Sequence, residues 1–360
     1  MKKTWIFLIL VALLLTACTP EKGPQETTQT PTVENVFTQP TVTTTEEFTQ
    51  GSQNPEDSQS LGSINISAVG HSEKDEKGTF YTYNGGEMVL PFRVEGSGSI
   101  IHNGIGILLF VDGLPQPYKT EGTDYGFLHT FFPPDNEAYT VDLVFTPVTG
   151  KAGDDLEVYA VSVLAPNYSY TSKDSQAFPY TGGSPSVGFR LKYQQTPPEE
   201  AFPKGSPRLS EVDIRKESLS FSEIGDWSEQ ELQENLEYHF FANNVSDTGH
   251  HYVYEVQEKQ PVQLRFEIYG TPYVHYRLVF FVDNQPVISQ DGTPILLDVE
   301  NGQKTVVEAQ LDMTGFDTES VLYAVLVPQN YFSTPIRTFA TVTPSSPIFL
   351  LEGAKEDYIS

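Results

Sequence analysis

The stretch Gly106-Ile-Leu-Leu-Phe-Val-Asp-Gly-Leu-Pro115 recurs in the second half of the chain as Arg277-Leu-Val-Phe-Phe-Val-Asp-Asn-Gln-Pro286. Each is an apolar run that enters a turn. Ile105 to Val111 is apolar on both faces, so it predicts a central strand covered on both sides. Asp112-Gly113 tolerates positive φ and predicts a tight hairpin, and Asp283 opens the equivalent turn. A proline follows each Asp three residues on, which makes turn geometry a better account of these two carboxylates than catalysis or metal binding.

The flanking runs line up around both copies. Met88, Leu90, Phe92 and Val94 alternate with Val89, Pro91, Arg93 and Glu95, the period of a half-buried strand. Val262, Leu264, Phe266 and Ile268 repeat that pattern. Val141, Leu143 and Phe145 correspond to Val307, Ala309 and Leu311, and Val158-Tyr-Ala-Val161 to Leu322-Tyr-Ala-Val325. The pairs Asn167-Tyr168 and Asn330-Tyr331 follow, and Ile348 to Leu351 matches the strand through Val187, Phe189 and Leu191. The offset between copies drifts, as it does when insertions fall in loops. Tyr125 to Phe132 is expected as a further strand. Short strands with turns between them, and no crossover helices, predict an all-β fold of two antiparallel sandwiches made by internal duplication. One short helix is expected near Ser228-Glu-Gln-Glu231, a capping box flanked by a Trp227/Leu232 staple.

The pattern resembles the tandem immunoglobulin-like sandwiches of bacterial surface proteins over roughly residues 63–351. The cysteine and tryptophan hallmarks of antibody domains are absent. The expected boundaries are 61–193 for the first sandwich, 194–210 for a proline-rich linker, 211–352 for the second sandwich and 353–360 for a tail.

Residues 1–17 read as a signal peptide, with Lys2 and Lys3 before an uncharged run from Ile6 to Leu15. That run is too short to span a bilayer. Leu15-Thr16-Ala17-Cys18 resembles the lipobox of bacterial lipoproteins. The resemblance implies a diacylglyceryl group on Cys18 and cleavage before it; an ordinary secretory signal that contains a cysteine is the alternative. Two acyl chains would anchor the protein stably, since each buried methylene contributes ~0.8 kcal/mol. Residues 18–60 then form an anchor and stalk. Thr19 to Ser60 holds eleven Thr, five Pro and six Gln, with only Phe37 and Phe48 aromatic. Such a segment is expected to be disordered. A flexible chain of this length reaches very roughly 35 Å.

Cys18 is the sole cysteine, which excludes a disulfide framework and a thiol enzyme. The formal charge is −27, which argues against a nucleic-acid partner. No G-x-S-x-G or H-E-x-x-H occurs. His250-His251 is the only histidine cluster, and neighbouring strand residues point to opposite faces. Asp154-Asp155 and Asp135-Asn-Glu137 carry oxygen ligands without the spacing of a calcium loop, and solvated hairpin ends account for them better. No metal or cofactor is assigned. Among the many aromatics, Tyr118 and Tyr125 lie in a loop and are the candidate binding residues, since exposed tyrosine joins apolar area to a polar handle.

These features predict a non-catalytic binding or structural protein, lipid-anchored on the extracytoplasmic face of the cell membrane, that engages a protein or glycan at the cell surface. The competing expectation is an accessory or catalytic part of an extracellular glycan or peptide hydrolase system. A solute-binding lipoprotein would need helix-rich lobes that the sequence lacks.

Overall fold

Alternating apolar residues at Leu90, Phe92 and Val94, each fully buried, place β4 (Met88–Ser97) with one face inward and one outward. A computed structural model of the chain describes residues 62–98, 101, 104–164, 166, 186–199, 205–219, 237–242, 253–256, 260–269, 274–300, 302–316, 319–333, 343–344 and 348–352. The expected signal peptide, Cys18, the expected stalk, the expected helix near Ser228-Glu-Gln-Glu231, His250 and His251, Asn167-Tyr168 and the expected tail lie outside the described residues. Apart from one 3-10 turn at Tyr331–Ser333, every described regular element is a strand.

The first strand group comprises β1 (Ser63–Ala68), β2 (Glu73–Asp75), β3 (Gly78–Tyr83), β4, β5 (Ile105–Val111), β6 (Leu114–Pro115), β7 (Leu128–Phe131), β8 (Ala138–Phe145), β9 (Asp155–Leu164) and β10 (Ser186–Tyr193). One sheet has the order β1-β4-β8; the other has β2-β3-β10-β9-β5-β6, with β7 also on β5. All pairs are antiparallel except β3 with β10. This is the strand order of an immunoglobulin-like sandwich, with A, B and E facing C, F and G. The stretch expected to pair from Tyr125 does so only from Leu128, because Tyr118 and Gly126 close a small loop by exchanging backbone bonds of 2.9 Å.

The second group comprises β11 (Ser206–Ser218), β12 (Glu237–Ala242), β13 (Val253–Val256), β14 (Val262–Tyr269), β15 (His275–Val282), β16 (Gln285–Ser289), β17 (Ile295–Asp298), β18 (Gln303–Leu311), β19 (Glu319–Pro328), β20 (Thr343–Pro344) and β21 (Ile348–Glu352). Its pairings repeat those of the first group in the same register. Met88 opposes Phe145 as Val262 opposes Leu311. Val111 opposes Val158 as Val282 opposes Leu322. Parallel pairing of β13 with β21 mirrors that of β3 with β10. Both tight turns have positive φ at their central residues, 51° and 69° at Asp112 and Gly113, 49° and 63° at Asp283 and Asn284, so both hairpins are type I′.

One strand has no counterpart among the described residues of the first group. β11 begins at Ser206, inside the segment expected to be linker. Its start runs parallel to β16 and its remainder antiparallel to β18, with a bulge between Ser210 and Asp213 where Glu211 has a φ of 51°. β11 therefore covers the outer edge of β18.

Each group encloses its own core. Leu90, Phe92, Ile105, Ile107, Leu109, Val111, Phe145 and Phe189 fill the first, and Phe266, Tyr276, Leu278, Phe280, Val282 and Leu322 belong to the second. A third apolar cluster joins the groups. It takes Leu108, Phe110, Tyr159, Val161 and Val163 from β5 and β9, and Val279, Phe281, Tyr323, Val325 and Val327 from β15 and β19. These are the same register positions on the two sides, so the contact is self-complementary in the manner of a two-fold interface. It explains why β5 is buried at all seven positions: alternate residues face the sandwich core and the other strand group.

Candidate functional site

Glu157 and Asp112 carry the raised carboxylate pKa values among the described residues, and both belong to the contact between the strand groups. Burial raises Glu157 most, against three hydrogen bonds that favour its charge. Its carboxylate accepts the Tyr159 hydroxyl at 2.6 Å and the backbone N–H groups of Tyr331 and Phe332 at 3.2 and 3.0 Å. Burial also raises Asp112, while the Arg277 charge opposes the shift. Nearby, the Asn284 amide donates to the Pro166 carbonyl at 2.8 Å, and Phe110 meets Phe281 edge-on at 6.1 Å. These groups lock two packed faces together.

The acidic pairs singled out in the sequence have structural duties. Asp135 accepts the Gly98 N–H and Asp154 the Lys151 N–H, both at 2.9 Å. Asp155 and Asp75 both pair with Arg190, a side chain only 2% exposed. No group of three or more potential metal ligands occurs among the described residues.

The two candidate tyrosines separate. Tyr118 is fully buried, contrary to its expected place on the surface. Its hydroxyl donates to the Ile107 carbonyl at 2.7 Å and its ring meets His129 edge-on at 4.8 Å. The loop is drawn inward by Gln116, also fully buried, whose amide donates to the Thr146 carbonyl at 2.9 Å and whose oxygen accepts the Val148 N–H at 2.9 Å. Tyr118 therefore offers no ring face to a ligand. Tyr125 stays half-buried at the surface. Its hydroxyl donates to Glu87 at 2.7 Å, and the Lys119 ammonium lies 5.0 Å from its ring and 2.5 Å from Glu87. Those two hydrogen bonds, Lys119 first, hold the Glu87 carboxyl below its ordinary range.

This trio stands at one end of a sheet edge that is open among the described residues. Val144 exchanges backbone bonds of 2.9 Å with Lys119 on the side away from β4. The alternation of an antiparallel ladder then turns the backbone groups of Asp142, Thr140 and Ala138 outward as well. Among the described residues no strand pairs with them, and all three are exposed. Asp142 has no ion-pair partner among the described residues. At the far end, Tyr139 is 43% exposed and Phe132 66%. Sequence reasoning missed this edge, because no single-chain pattern says which of two similar strands has a neighbour.

The counterpart edge of the second group is closed. Arg215 on β11 makes a two-pronged contact with Glu308 on β18, 2.8 Å at each prong, and Arg265 on β14 reaches Glu308 at 2.7 Å. Glu217, Glu267 and Lys304 extend the network. These bonds, that from Arg215 first, hold Glu308 down to about 2.

No protein-family model matches this chain, and a comparison with curated proteins found no match. Solved structures similar to it include a chimeric titin Z1Z2 tandem carrying an exogenous fibronectin peptide, with 11% identity over 81% of this chain and 100% of that one and a TM-score of 0.17. Fibronectin(III)-like modules of CbhA from Clostridium thermocellum have 11% identity over 81% and 95%, at 0.17. The SafA pilin of Salmonella enterica in complex with the SafB chaperone has 12% identity over 80% and 96%, at 0.22. TM-scores of this size carry no weight for function, and the immunoglobulin-like assignment rests on the strand order itself.

Proposed function

We propose that this chain is a non-catalytic binding module of the extracytoplasmic face, held to the cell membrane by lipid on Cys18. Residues 18–60 act as its stalk, and 61–193 and a second unit that runs to 352 and takes in β11 from Ser206 are two copies of one immunoglobulin-like unit joined by duplication. Identical pairing register in the two strand groups supports the duplication. The observation that carries the binding role is the division of labour between the copies. Their packed faces fix them together, the second closes its sheet edge with β11, and among the described residues the first leaves the equivalent edge without a partner strand, beside Tyr125, Tyr139 and Phe132. Polar backbone on a rigid scaffold is what a partner at the cell surface needs.

Two measurements test this reading. In the full chain, Cys18→Ala should move the protein from the membrane fraction to the soluble one; retention would refute the anchor. Full-length protein in detergent should retain cell-wall or surface-protein material in a pull-down, and turnover of a glycan or peptide substrate instead would refute the non-catalytic assignment.

A further inference from the structure

We infer that the open edge of β8 receives an extended, basic segment of a partner protein, added antiparallel as one more strand beside Asp142. This rests on the binding-module reading and names the partner's chemistry. The molecule itself contains the template. β18 occupies the register position of β8, and there β11 is the added strand. Asp142 opposes Pro91 as Glu308 opposes Arg265, so Asp142 and Glu308 are equivalent acids on equivalent edges.

The differences between the two edges specify the missing strand. Glu308 has one arginine from β14 and one from β11. Asp142 faces a proline instead, and Arg93, opposite Thr140 on the same face of β4, is paired with Glu95 at 2.8 Å, which leaves the added strand to supply a cation for Asp142. On the core side, Leu209 of β11 is 1% exposed and Val212 packs against the second core. The first group leaves Tyr139 and Phe132 uncovered at the other end of the edge, where the equivalent of Tyr139 is Thr305, paired with Lys216 of β11. A strand that alternates apolar residues with Arg or Lys satisfies both faces while its backbone pairs with Asp142 and Thr140. The chain's charge of −27 favours a cationic partner and opposes self-pairing, which would bring Asp142 side chains of two copies together.

The test uses the full chain and a synthetic peptide. The peptide has the sequence of Ser206–Ser218 with Glu211→Thr, Asp213→Thr and Glu217→Thr, which leaves Arg208, Arg215 and Lys216 as its charges. Fluorescence anisotropy should show saturable binding that weakens with salt. Amide hydrogen exchange should slow at Thr140 and Asp142. Thr140→Pro should abolish binding at unchanged melting temperature, because that N–H points away from β4. Thr140→Val, which keeps the N–H, should bind as the parent does. Asp142→Lys should weaken binding at least about tenfold, the loss expected for a charge-assisted contact. It also serves if the proline variant fails to fold. No binding at about 1 mM peptide, a weak-binding ceiling, would overturn the inference, as would equal binding by Asp142→Lys. So would protection appearing at β18, which would mean that the peptide had displaced β11, or dimerisation through β8. A pull-down that survives Thr140→Pro would refute the edge site and leave the module reading standing; loss of all surface material from the parent chain would refute the module reading.

Discussion

Phe281 is the residue on which the joint between the strand groups turns. Its ring is fully buried, stacked on Tyr323 at 5.2 Å with 5° between planes, and perpendicular to Phe110 at 6.1 Å. Phe281→Ala removes a buried ring from a closed apolar cluster, a change that costs about 3–5 kcal/mol. At about 2–4 °C per kcal/mol for a cooperative unit of this size, the melting temperature should fall by roughly 6–20 °C. Phe110→Ala should cost less, since Phe110 meets one ring of this cluster, edge-on, and Phe281 meets two. In the double variant the two losses should fail to add by about 0.5–1.5 kcal/mol, the worth of the edge-on pair. Urea unfolding and scanning calorimetry of the four proteins measure all three quantities. A loss below about 1 kcal/mol for Phe281→Ala, typical of an unremarkable site, would show that the faces are not packed in solution. Strict additivity would show that the two rings do not touch.

Three further outcomes follow from the same geometry. Glu308 has a folded pKa of about 2, below its unfolded value, so the stability it contributes is present above pH ~4.5 and is lost as pH falls toward 2; Glu308→Gln should flatten that limb of an acid titration followed by circular dichroism. Gly113→Ala should destabilise strongly, because φ is +69° and the new Cβ would meet the Gln329 amide at 2.1 Å and the Arg277 Cβ at 3.1 Å. At Gly153, where nothing lies within 4 Å, the same change should lower the melting temperature less. Tyr118→Phe removes a buried hydroxyl bond to Ile107 and should cost about 1–3 kcal/mol in thermal denaturation, without altering peptide binding at β8.

Much of this architecture was legible because its signals are local. Period-two alternation in Met88–Val94 and Val141–Phe145 places core faces without tertiary information, and Asp112-Gly113 needs only its own φ preference to predict a type I′ turn. The doubly apolar run Ile105–Val111 announced burial on both sides but not what covered its second face. That partner, Val279 to Val327, is distant in sequence, and apolar strands look alike whether a sheet or another strand group covers them. Ser206–Ser218 read as linker at its start because of Pro203 and Pro207. The parallel pairing with β16 accommodates Pro207 opposite Ile288, so proline did not exclude a strand there. Tyr118 misled for a different reason: tyrosine is amphipathic, and its burial depends on Gln116 and His129 satisfying the loop's polar groups. The open edge of β8 was illegible in principle, since Ala138–Phe145 and Gln303–Leu311 differ in what lies beside them more than in their own pattern.

The self-complementary face has a practical consequence for anyone who divides this protein. Residues 62–199 alone would present Leu108, Phe110, Tyr159, Val161 and Val163 to water. A surface that already fits its own equivalent would then find a second molecule, and the severed half would dimerise at working concentrations. Valency would change with the cut: one edge per chain would become two edges on a pair. Apparent affinities measured on such a fragment would report avidity, and the intact chain is the species whose binding is single-valued.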